Sequence, residues 1–317
     1  MNSRLSSGPE PRWVGEAMTG VAHDVSIVIP TLGRDLLQGC LESIASGTAW
    51  PAELIVVDQG DGVRVGAWLE NIGRLGLRVR HVVSNQTGIA AATNRGLELV
   101  TTPYVATTHD DCRVRPTWLE TLSGRVPDIG ESILTGRVEP EGPGIVLTVV
   151  TAREPAVYRN PRIDRTVLFP ANMAFQTRLL SRIGFLDEHP SLRLAGEDNE
   201  WAYRALKAGV SIVYDPGVVV THLAWQERNE LRPLYRRYAS GQGSFYGKYL
   251  RRGDPFIMKR AARDLMRAPW LLVRGVVTGN QNLIAMGVGE VAGLLPGILS
   301  GLRNDGTDEP REARRNT

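Results

Sequence analysis

Three groups of carboxylates stand where this chain could do chemistry. Asp58 closes the β-rich run 53–58, Asp110 and Asp111 follow the run 104–108, and Glu197 and Asp198 open an amphipathic segment. His222 follows another β-rich run, 218–221. Adjacent carboxylates repel each other unless a positive group stands beside them. A divalent cation carrying substrate phosphates is one such group, and hard oxygen ligands suit it. The plainer alternatives stand next to these. Acids are common in turns, Glu197 and Asp198 suit a helix N-terminus through the dipole alone, and a lone histidine is more often structural than a ligand.

The elements that must position these residues alternate. Residues 24–31 form a short β-branched run ending in Pro30-Thr31, which predicts a buried strand. A helix is predicted over 36–45, with Asp35 placed to cap it. Strands over 53–58, 77–83 and 104–108 alternate with helices over 64–72 and 88–99. This β-α-β-α-β-α-β order predicts a mostly parallel sheet with helices on both faces. In such sheets ligands bind outside the carboxyl ends of the strands, so Thr31, Asp58 and Asp110-Asp111 are expected along one edge. No GxGxxG follows the first strand and there is no GxxxxGK[ST], which removes the main support for dinucleotide and Walker-type sites.

Beyond residue 123 the alternation breaks down. Strands are expected over 133–138 and 144–150, then an irregular loop over 153–164 carrying Arg159 and Arg162, with Arg165 just beyond. These arginines suit either a solvated loop or a grip on phosphates. A strand or loop over 169–175 leads to a short helix over 178–183, a helix from 197 to near Gly209, and strands over 210–214 and 218–221.

Bulk properties narrow the class. A chain of 317 residues can bury a substantial core. Its two cysteines, Cys40 and Cys112, have no paired spacing, which argues against a disulfide framework or a structural zinc site and fits a reducing compartment. The segment 1–22 lacks the apolar run of a signal peptide. No stretch reaches the roughly 18 uninterrupted apolar residues of a membrane span. Net charge is +3, with the positive residues gathered late in the chain, and nothing matches a nucleic-acid recognition motif.

The ordered set Val25-Ser26-Ile27-Val28-Ile29-Pro30-Thr31, Val56-Val57-Asp58-Gln59-Gly60, 88–96, Asp110-Asp111, Gly196-Glu197-Asp198 and His222 resembles family 2 glycosyltransferases of the GT-A fold over about residues 24–225. The resemblance implies a nucleotide-sugar donor, Mn2+ or Mg2+, and inversion at the anomeric carbon. It implies that Thr31, Arg34, Asp58 and Asp110 face the nucleotide, with Asn94 and Arg95 assigned there too. It places Asp111 and His222 on the metal and Asp198 as general base with Glu197 beside it. Trp201 suits either helix packing or an acceptor contact, and Trp225, after His222, suits stacking on a sugar face of the acceptor. The acceptor that the resemblance implies is a glycan or lipid-linked sugar on the cytosolic face of a membrane. The chain departs from the pattern at Gln59, where an acid is commoner, at His109, and at Thr93-Asn94-Arg95. A sugar nucleotidyltransferase would need a glycine-rich basic loop after the first strand, and Pro30-Thr31-Leu32-Gly33-Arg34 is too short and glycine-poor. A non-catalytic nucleotide or glycan binder would keep the pocket without needing Asp198.

The expected organisation is a flexible tail (1–23), a nucleotide-sugar half (24–125), an acceptor and catalytic half (126–230), a helical extension (231–302) and a second tail (303–317). In the extension, arginines and lysines alternate with aromatic and aliphatic residues. That pattern suits an anionic bilayer surface, or equally helices that cover the catalytic part or form a homodimer contact. Residues 283–302 are apolar but interrupted by Glu290, Pro296 and several glycines, and are expected to be packed or interfacial rather than spanning.

Overall fold

The computed structural model describes residues 20–162, 167–193, 195–227 and 230–304. Arg165 and most of both expected tails lie outside the described residues. The first half follows the alternation: β1 (Gly20–Thr31), α1 (Leu36–Ala45), β2 (Ala49–Asp58), α2 (Gly62–Arg74), β3 (Val79–Val83), α3 (Ile89–Glu98) and β4 (Tyr104–Thr107). Then come β5 (Cys112–Val114), α4 (Trp118–Arg125), β6 (Ser132–Glu141), β7 (Ala156–Tyr158), β8 (Met173–Gln176), α5 (Leu180–Ile183), α6 (Glu197–Lys207) and β9 (Ser211–Leu223). Three long helices follow, α7 (Leu231–Leu250), α8 (Pro255–Thr278) and α9 (Gln281–Gly301).

The strands form one sheet in the order β3-β2-β1-β4-β8-β6-β9-β5, with β7 also paired to β9. The β3-β2-β1-β4 half is parallel, as the alternation requires. Beyond β4 the sheet is mixed. β8 runs antiparallel to β4 and β6, β6 and β9 are parallel, and β5 and β7 are antiparallel to β9. One apolar layer packs Leu37, Leu41, Leu69 and Trp118 against one face of the sheet, and another packs Ala92, Leu97, Trp201 and Leu206 against the other. The two-faced helical cover expected from the sequence is therefore present.

Several strand assignments change. β5 and β7 were not expected, β7 lying within the stretch read as an irregular loop, and β1 begins at Gly20, inside the expected tail. Residues 144–150 do not form a strand and contribute only single bridges, Ile145 to Gln226 and Val150 to Val138. Their Pro/Gly-rich approach spoils the continuous pairing that a strand needs. The runs 210–214 and 218–221 are one strand, β9, whose pairing with β6 shifts register between Gly136 and Arg137.

The helical extension is a packed structure. Gly289, Gly293, Gly297 and Gly301 recur every four residues along one face of α9, and each meets α7 backbone. A Cβ at Gly297 would lie 2.1 Å from the Ser240 carbonyl oxygen, and one at Gly301 2.1 Å from that of Ser244. Small residues at this spacing let two helices approach backbone to backbone. By length and composition α9 could cross a membrane, yet this face is buried on α7, as the interrupted pattern predicts.

α7 in turn clamps α6. Lys248 is almost fully buried and donates to Asp187 at 2.7 Å and Glu200 at 2.8 Å, while the Tyr249 hydroxyl donates to Glu200 at 3.0 Å. Arg204, one turn on from Glu200 in α6, completes the charge balance at 2.8 Å.

Candidate active site

The site grows from strand ends. In the β1–β2 ladder Thr31 lies opposite Asp58. The Thr31 hydroxyl donates to Asp110 at 2.7 Å and accepts the Gly33 amide at 2.9 Å. The carboxyl edge of β1 is thereby tied to the acids that follow β4. Arg34 reaches over from the same loop, 3.4 Å from Asp110 and 3.5 Å from Asp111. The positive group that the adjacent acids require is, in this structure, the Arg34 guanidinium.

β5 brings the second half of the site. It pairs Cys112 with His222, and the Leu223 amide donates to the Asp111 carbonyl at 2.9 Å. His222 Nε2 lies 3.7 Å from Asp111, the Trp225 indole donates to the same carboxylate oxygen at 3.1 Å, and Arg34 stacks over the Trp225 ring at 4.7 Å. Burial alone would raise the Asp111 carboxyl. Its hydrogen bond and charge interaction with His222, the charge of His109 and the Trp225 N–H outweigh that, and hold it well below the ordinary carboxylate range. Asp110 shifts the other way, raised by burial against the pull of Arg34. His109 is pushed down to about 4, first by burial and then by His222 and Arg34, with Asp111 opposing.

Asp111, His222 and Cys112 offer ligand atoms within 4.8 Å of one another. Burial holds the Cys112 thiol protonated, which makes it a poor ligand for a hard cation. His222 Nδ1 is buried with no hydrogen-bond partner among the described residues. An oxygen from Asp111 and an imidazole nitrogen from His222 fit Mn2+ or Mg2+, with the remaining positions left to phosphate and water.

Glu197 and Asp198 open α6, behind Gly196 in a left-handed conformation (φ 92°). Gly196 packs on α7, where an added Cβ would come 2.6 Å from the Gly241 carbonyl carbon. Asp198 is partly buried, Glu197 is buried, and Glu197 Oε2 lacks a hydrogen-bond partner among the described residues. Both carboxyls are raised, Glu197 by burial and then by the charge of Asp198, and Asp198 by burial. Backbone hydrogen bonding at the helix N-terminus lowers Asp198, but burial wins. Tyr238 of α7 is 43% exposed as a whole residue, with its hydroxyl end turned inward. Its hydroxyl is raised by burial and by the combined charges of Asp198, Glu197 and Asp111, with Arg237 opposing.

Several sequence assignments find other places. Asp58 is fully buried. One oxygen accepts the Gly60 amide at 2.8 Å and the other faces His81 Nε2 at 3.2 Å. It holds the turn after β2 rather than lying open to a ligand. Asn94 is buried with both ends of its amide engaged, donating to Leu186 O and Glu188 and accepting the Leu186 amide at 2.9 Å, so it pins the 186–188 segment. Arg95 pairs on the surface with Glu98 at 3.2 Å. Trp201 is 1% exposed, stacks near Phe175 and donates to Gly184 O. It belongs to the core and offers no face to an acceptor. Trp225 is 41% exposed. Sequence reasoning passed over Cys112, His81, Tyr238 and Phe169, whose ring lies 5.4 Å from that of His222. Of these only the adjacency of Cys112 to Asp111 was visible in the chain.

This is a GT-A-type frame, an α/β sheet whose strand ends gather acids at one edge, with a helical extension behind it. A sequence model of glycosyl transferase family 2 matches residues 26–186, about half of the chain, and the protein belongs to that family. A pre-mycofactocin glycosyltransferase of Mycobacterium tuberculosis is 28% identical over 90% of this chain, which spans 58% of that relative's length. Glycosyltransferase AglE of Haloferax volcanii is 27% identical over 71% of this chain and 75% of its own. Among solved structures, Staphylococcus aureus TarS 1-349 in complex with UDP-GlcNAc aligns with a TM-score of 0.55 at 13% identity, covering 84% of this chain and 90% of that one. GalNAc-T7 with UDP, GalNAc and Mn2+ aligns at 0.52 and 17% identity, covering 73% and 51%. At these identities the structural matches speak for the fold.

Proposed function

We propose that the protein is an inverting, metal-assisted glycosyltransferase that moves a sugar from a nucleoside diphosphate donor to a hydroxyl of a glycan or lipid-linked acceptor. The observation that carries this reading is the continuous set Thr31–Asp110–Arg34–Asp111–His222. The names of the relatives and the family support it, and a UDP-sugar complex and an Mn2+ complex among structures of the same fold agree with it.

In this reading residues 24–125 bind the donor and residues 126–230 carry the base and receive the acceptor. Asp110, held by Thr31, faces the nucleotide, and Arg34 turns from the acids toward the diphosphate. Asp111 and His222 hold Mn2+ or Mg2+, which when bound supplies charge neutralisation for the leaving diphosphate. Asp198 accepts the proton of the attacking hydroxyl, and its raised pKa brings it closer to the range in which a base is effective at neutral pH. Single displacement needs no covalent intermediate. Asp58, with His81, shapes the wall on which the nucleotide lies. A thermal-shift screen of nucleoside diphosphates and sugar nucleotides with Mn2+ tests the reading, because a ligand that binds the folded state raises its melting temperature.

In this reading the extension rests on the cytosolic face of an anionic membrane, and one surface of α8 supports it. Met266, Trp270, Val273 and Val277 are exposed along one face of α8, with Arg267 and Arg274 among them. Apolar residues bordered by cations match an anionic bilayer. Flotation with phosphatidylglycerol vesicles, and its loss in Met266→Ser/Trp270→Ser, checks this. A concentration-dependent dimer without flotation would assign the face to a second copy instead.

A further inference from the structure

Behind the catalytic helix lies a cavity of about 710 Å³ between the 190–195 segment, the first half of α7 and the middle of α9. Three of its lining side chains are Arg232, Arg236 and Arg237, and none of its lining residues is acidic. Among the described residues these arginines have neither a hydrogen bond nor an ion pair, in a chain where most other arginines do. Arginines gathered on a concave wall without counter-charge suit an anion, above all a phosphate, which a planar guanidinium grips through two parallel hydrogen bonds. From α9 the cavity is lined by the apolar Val288 and Ala292, with Gly289 and Ser300.

That apolar lining continues outside. At ~100° per residue, Val288, Ala292, Leu295 and Leu299 lie on one face of α9, and Leu295 and Leu299 are 51% and 53% exposed. The cavity also touches the chemistry. Ala195 and Gly241, both in its lining, are the neighbours that seat Gly196 and so position Asp198.

We propose that this cavity is an acceptor subsite that holds the phosphate end of an amphiphilic acceptor, with Arg232 and Arg236 on the phosphate and the alkyl portion laid along the α9 stripe. The proposal rests on the glycosyltransferase reading for the word acceptor, and the binding itself does not. Isothermal titration of the full chain with octyl phosphate below its micellar concentration, inorganic phosphate alongside, tests it. Saturable binding of octyl phosphate is expected, with inorganic phosphate far weaker. The Arg232→Gln/Arg236→Gln variant should lose about tenfold or more in affinity, the loss expected for charge-assisted hydrogen bonds, at an unchanged melting temperature. Nucleoside diphosphate binding with Mn2+ should be the same in both proteins. Equal affinity of variant and parent for octyl phosphate would overturn the subsite, and so would inorganic phosphate binding as tightly as octyl phosphate. Failure of nucleoside diphosphates to bind the parent, with octyl phosphate behaving as expected, would instead count against the donor-site reading.

Discussion

The Trp225 indole donates a hydrogen bond to Asp111 at 3.1 Å while its ring lies under the Arg34 guanidinium, 4.7 Å away. One exposed aromatic thus touches the proposed metal-binding carboxylate and the cation that neutralises it. Loading a divalent ion on Asp111 must disturb both contacts. Mn2+ together with a nucleoside diphosphate should change the tryptophan fluorescence of the parent. Most of that change should vanish in Trp225→Phe, whose ring fills the same space without the N–H. An identical response in the variant would mean that the ion binds elsewhere.

The acid pair at the start of α6 gives a stability prediction. Burial raises both Glu197 and Asp198, so the folded chain holds protons that the unfolded chain releases. The favourable contribution of the neutral forms is complete below the ordinary carboxylate values and is lost as pH rises through the raised ones. Glu197→Gln should therefore raise the melting temperature of the ligand-free protein at pH 7, with the gain shrinking toward acid. A lower melting temperature at pH 7 would show that the ionised Glu197 is held by a favourable partner.

Much of this arrangement was legible in the chain, and the parts that were not share a cause. The ends of β1, β2 and β4 could be read because each is a β-branched run closed by a polar residue, and their parallel order then fixed Thr31, Asp58 and Asp110 on one edge. The start of α6 was legible for the same kind of reason. What escaped depends on pairing between distant segments. β5 is three residues long and exists because β9 accepts it, and that pairing sets Cys112 and His222 beside Asp111. The inward turn of Asp58 comes from His81 on β3. Trp201 suited either helix packing or the acceptor, and the helix turns it onto Phe175. The glycine repeat of α9 was in plain view, but that it meets Ser240 and Ser244 of α7 was not.

The contact between α7 and the start of α6 should couple the extension to catalysis. A Cβ at Gly241 would lie 2.1 Å from the Ala195 carbonyl oxygen, and both neighbours are backbone that cannot step aside. Gly241→Ala should cost about 1–3 kcal/mol of stability, as overpacking does, and should lower turnover more than donor affinity because it shifts Asp198. Denaturant unfolding with steady-state kinetics checks this. Unchanged stability and turnover would show that the extension is docked without bearing on the site.

Lys248 offers a separate check on how the extension is held. Its ammonium, 2% exposed, answers two carboxylates, Asp187 and Glu200. Lys248→Met leaves both acids with less compensation and should destabilise by about 3–5 kcal/mol, the usual cost of breaking a buried ion pair by removing one partner. Guanidinium unfolding of the variant, read by circular dichroism, gives the number. A loss below about 1 kcal/mol would place the pair in the class of surface bridges.

The most direct test of the whole account is Asp198→Asn assayed for release of nucleoside diphosphate from a panel of sugar nucleotides with Mn2+, with binding of the same diphosphate measured alongside. The account predicts turnover of at least one donor by the parent, a loss of about a hundredfold or more in the variant, and an unchanged dissociation constant for the diphosphate. Turnover by Asp198→Asn at the parental rate would contradict it.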